Sequence, residues 1–412
     1  VPRVPVDRLR PGWHLASTVY NHNGLVLLSA GTKLTTSYIR RMIDLGVRAV
    51  DVQLAQFASL RPREVLSPQL RSQATATLRK VLADARKQGQ PSTEAILPYV
   101  DRIVDQVLRN QEVMVGLTDI RAHDAYTHAH SVNVCMLATM IGRSLGYTRN
   151  SLLILGIGAI MHDLGKVYID PEILTQRSPL TWDQYQQVQE HPVLGYQALD
   201  RTPGIPRPAA MISLQHHERL DASGYPHAAE AAQIGAFSRI VAVADVYDAI
   251  SSDRPYRAAL TPLECLRLLS QEERGRLWPD AVNALAARIA PYPEGSTVEL
   301  EGGELAVVIR CTAHSPLRPE VAIFTDNEGN LLAEPVAKRL SDAEHEQLTI
   351  RELLTLEGVS DTAAGAAPDP DRPSEAANLG EAAAAVRPVI LPEEQRQAAN
   401  LSSMFDPAED GR

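Results

Sequence analysis

At 412 residues the chain exceeds the size at which one hydrophobic core stops growing, so its length predicts two or three domains. Hydrophobic residues at 44% and charged residues at 22% exclude global disorder, and three cysteines with no CxxC pair fit neither a disulfide framework nor a thiolate metal site. Of the net charge of −10, residues 361–412 contribute 10 acidic and 4 basic side chains, leaving 36 basic against 40 acidic, a balance that excludes the basic face of a long nucleic-acid binder and still permits one small anionic ligand.

In chain order, residues 1–60 read as a small α+β domain. Strands are expected around Val4–Val6, Leu15–Tyr20 and Leu25–Leu28, with a turn at Asn21-His22-Asn23-Gly24, a helix over Thr35–Leu45 stopped by Gly46, and a strand at Arg48–Val52. Residues 61–118 carry helical periodicity through Leu78, Val81 and Leu82 and again through Ile96, Val100, Ile103, Val104 and Val107, interrupted by Gly89-Gln90-Pro91. This is a helical connector. Residues 119–290 are again mainly helical and include eight of the twelve histidines. Residues 291–355 change to short strands at Thr297–Leu300, Ala306–Arg310, Glu320–Thr325 and Leu331–Pro335, separated by Gly-containing turns. From 356 to 412 the chain is rich in Ala, Pro and acidic residues with Phe405 as its one aromatic, which predicts a disordered tail. The densest apolar run, Leu152–Met161, is shorter than a bilayer span, and Arg, Asp and His interrupt the first thirty residues where a signal peptide needs an apolar core. The expectation is a cytoplasmic protein without membrane insertion.

The chemistry concentrates in the helical region. His130, His162-Asp163, His191, His216-His217 and Asp245 are N and O donors of the kind that hold divalent iron, manganese, nickel or zinc. His162-Asp163 ends the apolar run LLILGIGAIMHDLGK, His216-His217 follows AAMISLQ, and Asp245 interrupts RIVAVADVYDAI. An ionised side chain at such places is costly unless it is paired or metal-bound. One histidine on an apolar helix is ordinarily a core residue, but this recurrence points to a shared interior metal site.

YTHAHS, HDLGK, EHP, HHERLDASGYP and VADVYDAISSDRPYR occur in this order, and over about Asp119–Leu260 the chain resembles the HD-GYP branch of the HD phosphohydrolase superfamily, bacterial phosphodiesterases of cyclic di-GMP. The resemblance implies a mainly α fold, a helical HD-type bundle, between the small N-terminal α+β domain and the C-terminal β-rich extension. It also implies two divalent metal ions, iron or manganese before nickel or zinc. His130, His162, Asp163 and Asp245 would hold one, Asp163, His191, His216 and His217 the other, with Asp163 bridging and a hydroxide between the ions as nucleophile. Lys166, one helical turn beyond His162, would hold or protonate the phosphate. Tyr225, Arg254, Arg257 and Asp124 would line the nucleotide pocket. Related proteins with a third metal carry a glutamate where this chain has Tyr126, a poor ligand at neutral pH. Ala222 stands in place of the usual glycine of DGSGYP, and His123, His128 and His227 fall outside the pattern. The implied activity is metal-dependent hydrolysis of cyclic di-GMP to pGpG, with GMP appearing slowly. The alternatives are a catalytically weak cyclic di-GMP sensor and a phosphohydrolase of another nucleotide. Protein partners are expected through the N-terminal domain or the tail, and the sequence leaves the oligomeric state open.

Overall fold

The structure, a computed structural model, describes residues 2–20, 26–47, 49–54, 57, 63–110, 113–116, 126–176, 180–252 and 259–355. The turn expected at 21–24, His123, Asp124, Arg254, Arg257 and the tail from 356 onward lie outside the described residues.

The N-terminal unit pairs β1 (Arg3–Pro5) with β4 (Ala49–Asp51) and β2 (Val19–Tyr20) with β3 (Val26–Leu28), both antiparallel, around helix α1 (Thr36–Asp44). Thr35 caps α1 by accepting from the Tyr38 amide. The strand expected over Leu15–Tyr20 pairs as a ladder only at its end, because Leu15 makes a single bridge to Val52 and the Ser17 hydroxyl is drawn to the Asp51 carboxylate at 2.7 Å.

Two helices follow, α2 (Pro68–Gln88) and α3 (Leu97–Arg109). Ser67 caps α2, and Gly89 ends it in the left-handed conformation at φ 75°. Rather than spanning between domains, these helices are part of the helical core. Leu70, Ala74, Leu78, Ile96, Val100 and Ile103 are buried in the same cluster as the helices that carry the histidines. Periodicity revealed the apolar stripes but not the surface they cover.

The rest of the helical body is α4 (Tyr126–Ser144), α5 (Arg149–Ile160), α6 (Pro171–Thr175), α7 (Trp182–Val188), α8 (His191–Asp200), α9 (Arg207–Gln215), α10 (Ala236–Ser251), α11 (Pro262–Arg267) and α12 (Pro279–Ala286). Helices α4, α5 and α10 lie at its centre, and each is apolar over most of its circumference because neighbours cover it on several sides. The stretch Arg149–Tyr168 is long and apolar enough to cross a membrane by composition, but its α-helix ends at Ile160 and its apolar residues sit largely in this core.

The C-terminal strands β5 (Thr297–Leu300), β6 (Leu305–Arg310), β7 (Glu320–Thr325), β8 (Leu331–Arg339) and β9 (Ile350–Thr355) form one antiparallel sheet in the order β8-β7-β6-β5-β9. One face of this sheet closes on the N-terminal unit: Val4, Trp13, Leu15, Val52 and Phe57 share a core with Leu305, Val307, Ala322 and Phe324. The N-terminal unit and the C-terminal sheet thus share one core. Cys135, Cys265 and Cys311 are all buried and form no disulfide, as small core residues.

Candidate metal centre

Five segments bring seven side chains together. Helix α4 carries His130, the turn behind α5 carries His162 and Asp163, α8 begins at His191, His216 and His217 follow the end of α9, and α10 carries Asp245 at its middle. The α-helical hydrogen bonding of α5 stops at Ile160, and a turn leads into a 3-10 segment over Leu164–Tyr168. That turn must sit against the start of α8. A Cβ on Gly165 would overlap the His191 carbonyl, so only glycine lets the HDLGK segment and α8 approach this closely. The Ser213 hydroxyl of α9 donates to the His162 carbonyl at 2.8 Å and ties the third segment to the other two.

The seven residues fall into two groups, His130, His162 and Asp245 in one and Asp163, His191, His216 and His217 in the other. Asp163 faces both. Its Oδ2 lies 3.3 Å from His162 Nε2 and 3.9 Å from His130 Nε2, while its Oδ1 lies 3.5 Å from His191 Nε2 and 3.7 Å from His216 Nε2. Across the first group, His130 Nε2 is 3.2 Å from Asp245 Oδ1.

Hydrogen bonding fixes which ring nitrogens point inward. His162, His191 and His216 each direct Nδ1 at a backbone carbonyl, of Ala159 at 2.7 Å, Val188 at 2.7 Å and Ser213 at 2.9 Å. A carbonyl only accepts, so Nδ1 carries a proton, and Nε2 of each ring is the nitrogen that faces the interior, where a cation would bind it. His191 Nε2 and His216 Nε2 face each other across 3.4 Å. His162 Nε2, His217 Nε2 and Asp163 Oδ1 are buried without a hydrogen-bond partner. Converging ring nitrogens and unpartnered buried polar atoms are poorly solvated by themselves, and bound cations would resolve this. The donor set fits two divalent ions.

The electrostatics agree. Burial would raise the Asp163 carboxyl, but the charges of His162 and Lys166 hold it well below the ordinary carboxylate range. Burial opposes ionisation of Asp245 as well, and the hydrogen bond and charge of His130 hold it well below. His217 is pushed down by burial, then by His216 and His191, and so stays neutral and available as a ligand. His130 is the exception. Burial lowers it, but the hydrogen bonds and charges of Asp245 and Asp248 outweigh burial and push it up to about 10.

Lys166 lies in the 3-10 segment rather than on an α-helical turn, and its Nζ sits 3.0 Å from Asp163 Oδ2. The Tyr225 ring stacks on His217, centroids 4.5 Å apart and planes 24° from parallel. Its loop is held tightly: a Cβ on Gly224 would strike the His217 carbonyl and the Arg219 amide, and the Tyr225 amide donates to the His217 carbonyl at 3.3 Å. Ala222 adopts φ 60°, the left-handed conformation that favours glycine, without displacing Tyr225 from the site. His128 and His227 join neither group. Tyr126 opens α4, and its side chain lies outside the described residues, as do Asp124, Arg254 and Arg257.

Two contributors escaped the sequence reading. Asp248, one turn after Asp245 on α10, is 1% exposed and accepts from His130 Nδ1 at 2.6 Å. Its three-residue spacing from Asp245 was the available signal. Glu218, directly after the histidine pair, is buried and receives the amides of His227 at 2.8 Å and Ala229 at 2.9 Å, which clamps the Tyr225 loop from behind.

Comparison with known proteins agrees with this geometry. Residues 104–281 match the HD domain family, and residues 297–356 match the KOW domain associated with HD domain. The chain is 34% identical over 253 residues to cyclic di-GMP phosphodiesterase PA4108 of Pseudomonas aeruginosa, covering 61% of each chain. It is 32% identical over 229 residues to the cyclic di-GMP phosphodiesterase response regulator RpfG of Xanthomonas campestris pv. campestris, 55% of this chain and 59% of that one. It is also 28% identical over 212 residues to the 3'3'-cGAMP-specific phosphodiesterase 3 of Vibrio cholerae, 52% of this chain and 45% of that one. The chain thus spans about half to three fifths of the length of these relatives.

Proposed function

We propose that this HD-domain chain is a metal-dependent phosphodiesterase that opens cyclic di-GMP to linear pGpG. One observation carries the reading: the two oxygens of Asp163 face two separate nests of inward-pointing donors. His130, His162 and Asp245 with Asp163 would hold one divalent ion, and His191, His216 and His217 with Asp163 the other. Bound there, such a pair supplies an activated water and neutralises the charge that builds on phosphorus oxygens during in-line displacement.

The protein's own groups have distinct tasks. The Asp163 carboxylate, held ionised by His162 and Lys166, joins the two nests. Lys166 keeps a positive charge beside Asp163 Oδ2, within reach of a phosphate brought to the site, where it can take up part of the developing negative charge or donate a proton to the departing ribose oxygen. Tyr225, fixed against His217, offers the edge of an aromatic platform for a guanine. Water adds to one phosphorus, the bond to the ribose 3′ oxygen breaks with a proton delivered to that oxygen, and the product keeps a 5′ phosphate. Arg254, Arg257 and Asp124 are proposed as nucleotide contacts on the resemblance alone. With Tyr126 replacing a further acidic ligand, the linear product should leave before a second cut.

The test is incubation of iron- or manganese-loaded protein with cyclic di-GMP and, in parallel, with 3'3'-cGAMP, the products being separated over time. Conversion of cyclic di-GMP to pGpG with little GMP supports the reading. Cleavage of 3'3'-cGAMP alone would reassign the substrate, and tight binding of cyclic di-GMP without turnover would make the chain a sensor.

A further inference from the structure

We infer that Arg71, Asn133 and Asp248 form a positioning chain through which helix α2 sets the orientation of the metal-facing His130. The inference rests on the metal assignment made above. The chain is continuous and buried. The guanidinium of Arg71 donates to Asn133 Oδ1, Asn133 Nδ2 donates to Asp248 Oδ1 at 2.9 Å, and His130 Nδ1 donates to Asp248 Oδ2 at 2.6 Å. Arg71 is 5% exposed, Asn133 2% and Asp248 1%. Both Asp248 oxygens are occupied, one by the Asn133 amide and the other by the His130 ring. His130 Nε2 is thereby turned toward Asp245 and Asp163.

The contrast with the other ligands gives this chain its meaning. His162, His191 and His216 take their orientation from carbonyls three residues earlier in their own segments, a local geometry that persists as long as the segment does. His130 takes its orientation from a side chain on α10, which is braced by α4, which is braced in turn by α2. Helix α2 directly follows the N-terminal unit in sequence. A shift or rotation of α2 that withdraws Arg71 frees Asn133, loosens Asp248 and lets the His130 ring turn away. Of the two nests, only the one containing His130 would respond. Arg71, Asn133 and Asp248 are therefore positioning residues, acting on the centre through His130.

The experiment titrates manganese into the metal-free full chain and follows uptake by electron paramagnetic resonance, for the wild type and for Arg71→Met, Asp248→Ala and Asp248→Asn. An exchange-coupled spectrum reports both ions, and an isolated-ion spectrum reports one. Asp248→Ala should weaken one of the two sites by about 10- to 100-fold, giving the isolated-ion spectrum at manganese concentrations where the wild type is coupled. Arg71→Met, which keeps the aliphatic stem and lies two contacts from the ring, should do the same to a smaller degree. Asp248→Asn, whose amide oxygen can still accept from His130, should recover part of the lost affinity. The melting temperature of each metal-free variant is recorded alongside. Variants that melt lower yet bind both ions as the wild type does would reduce the chain to a structural network and overturn the inference, as would equal weakening of both sites. A wild type with no coupled pair overturns it together with the metal assignment. A wild type with a coupled pair that cleaves no cyclic dinucleotide refutes the proposed activity only, and the manganese spectra of the variants still decide the positioning chain.

Discussion

Ala222→Gly should stabilise the protein, although it removes a side chain. Ala222 holds φ 60°, where its Cβ crowds the backbone at a cost of about 1–2 kcal/mol relative to right-handed conformations. Glycine has no such cost, but it returns about 0.5–1 kcal/mol through the greater freedom of the unfolded chain. The balance is about 0.5–1 kcal/mol in favour of glycine, or roughly 1–3 °C in melting temperature for a folded body of this size. The loop should not move as the strain is relieved. Asp221 Oδ1 accepts from the Ser223 amide at 3.0 Å and its hydroxyl at 2.6 Å, the Ala222 amide donates to the Arg219 carbonyl at 3.0 Å, and Glu218 holds the far side. Calorimetry on the metal-free and metal-loaded chain measures the shift, and KM for the cyclic dinucleotide tests whether Tyr225 stays in place. Ala222→Val is the control of opposite sign, because a β-branched residue tolerates this conformation worst, and it should lose about 1 kcal/mol or more. A lower melting temperature for the glycine variant, or a valine variant as stable as wild type, would show that the loop carries no strain at this position.

Three further expectations probe separate parts of the structure. Asp163→Ala should abolish hydrolysis and reduce metal content by elemental analysis, whereas Lys166→Ala should retain the metals and lose much of kcat; metal loss in the lysine variant would mean that Lys166 serves to build the site. Glu218→Gln removes one of two acceptors for the His227 and Ala229 amides and should cost about 1.5–3 kcal/mol, the worth of a hydrogen bond to a buried charged group, with a raised KM; unchanged denaturant unfolding and kinetics would leave the clamp without a role. Phe324→Ala empties a site between the Trp13 and Phe57 rings, whose centroids lie 6.3 and 6.2 Å away, and should cost about 3–5 kcal/mol. Because the N-terminal unit and the sheet share that core, hydrogen exchange should accelerate in β1 and β4 as well as in β7, and acceleration confined to β7 would contradict a common core.

Part of the candidate donor set was legible in the sequence because His162-Asp163, His216-His217 and Asp245 interrupt or end otherwise apolar runs. A polar side chain inside LLILGIGAIMHD or RIVAVADVYD carries its own energetic question wherever the helix packs, and the repetition of that question over three segments suggests a shared answer. The helical and strand regions were legible for a similar reason, since periodicity is a property of neighbours along the chain. What remained hidden depends on neighbours in space. Arg71 and Asn133 are separated by 62 positions and Asn133 and Asp248 by 115, and no local pattern distinguishes a buried arginine on α2 from a solvated one. The helices read as a connector proved to be part of the helical core, and the first strands proved to close the sheet of the last, because an apolar stripe declares that it must be covered without declaring by what. Residue chemistry along the chain determined that this protein holds a His/Asp centre; only the tertiary packing decided which oxygen of Asp163 faces which nest and which distant side chains hold His130 in place.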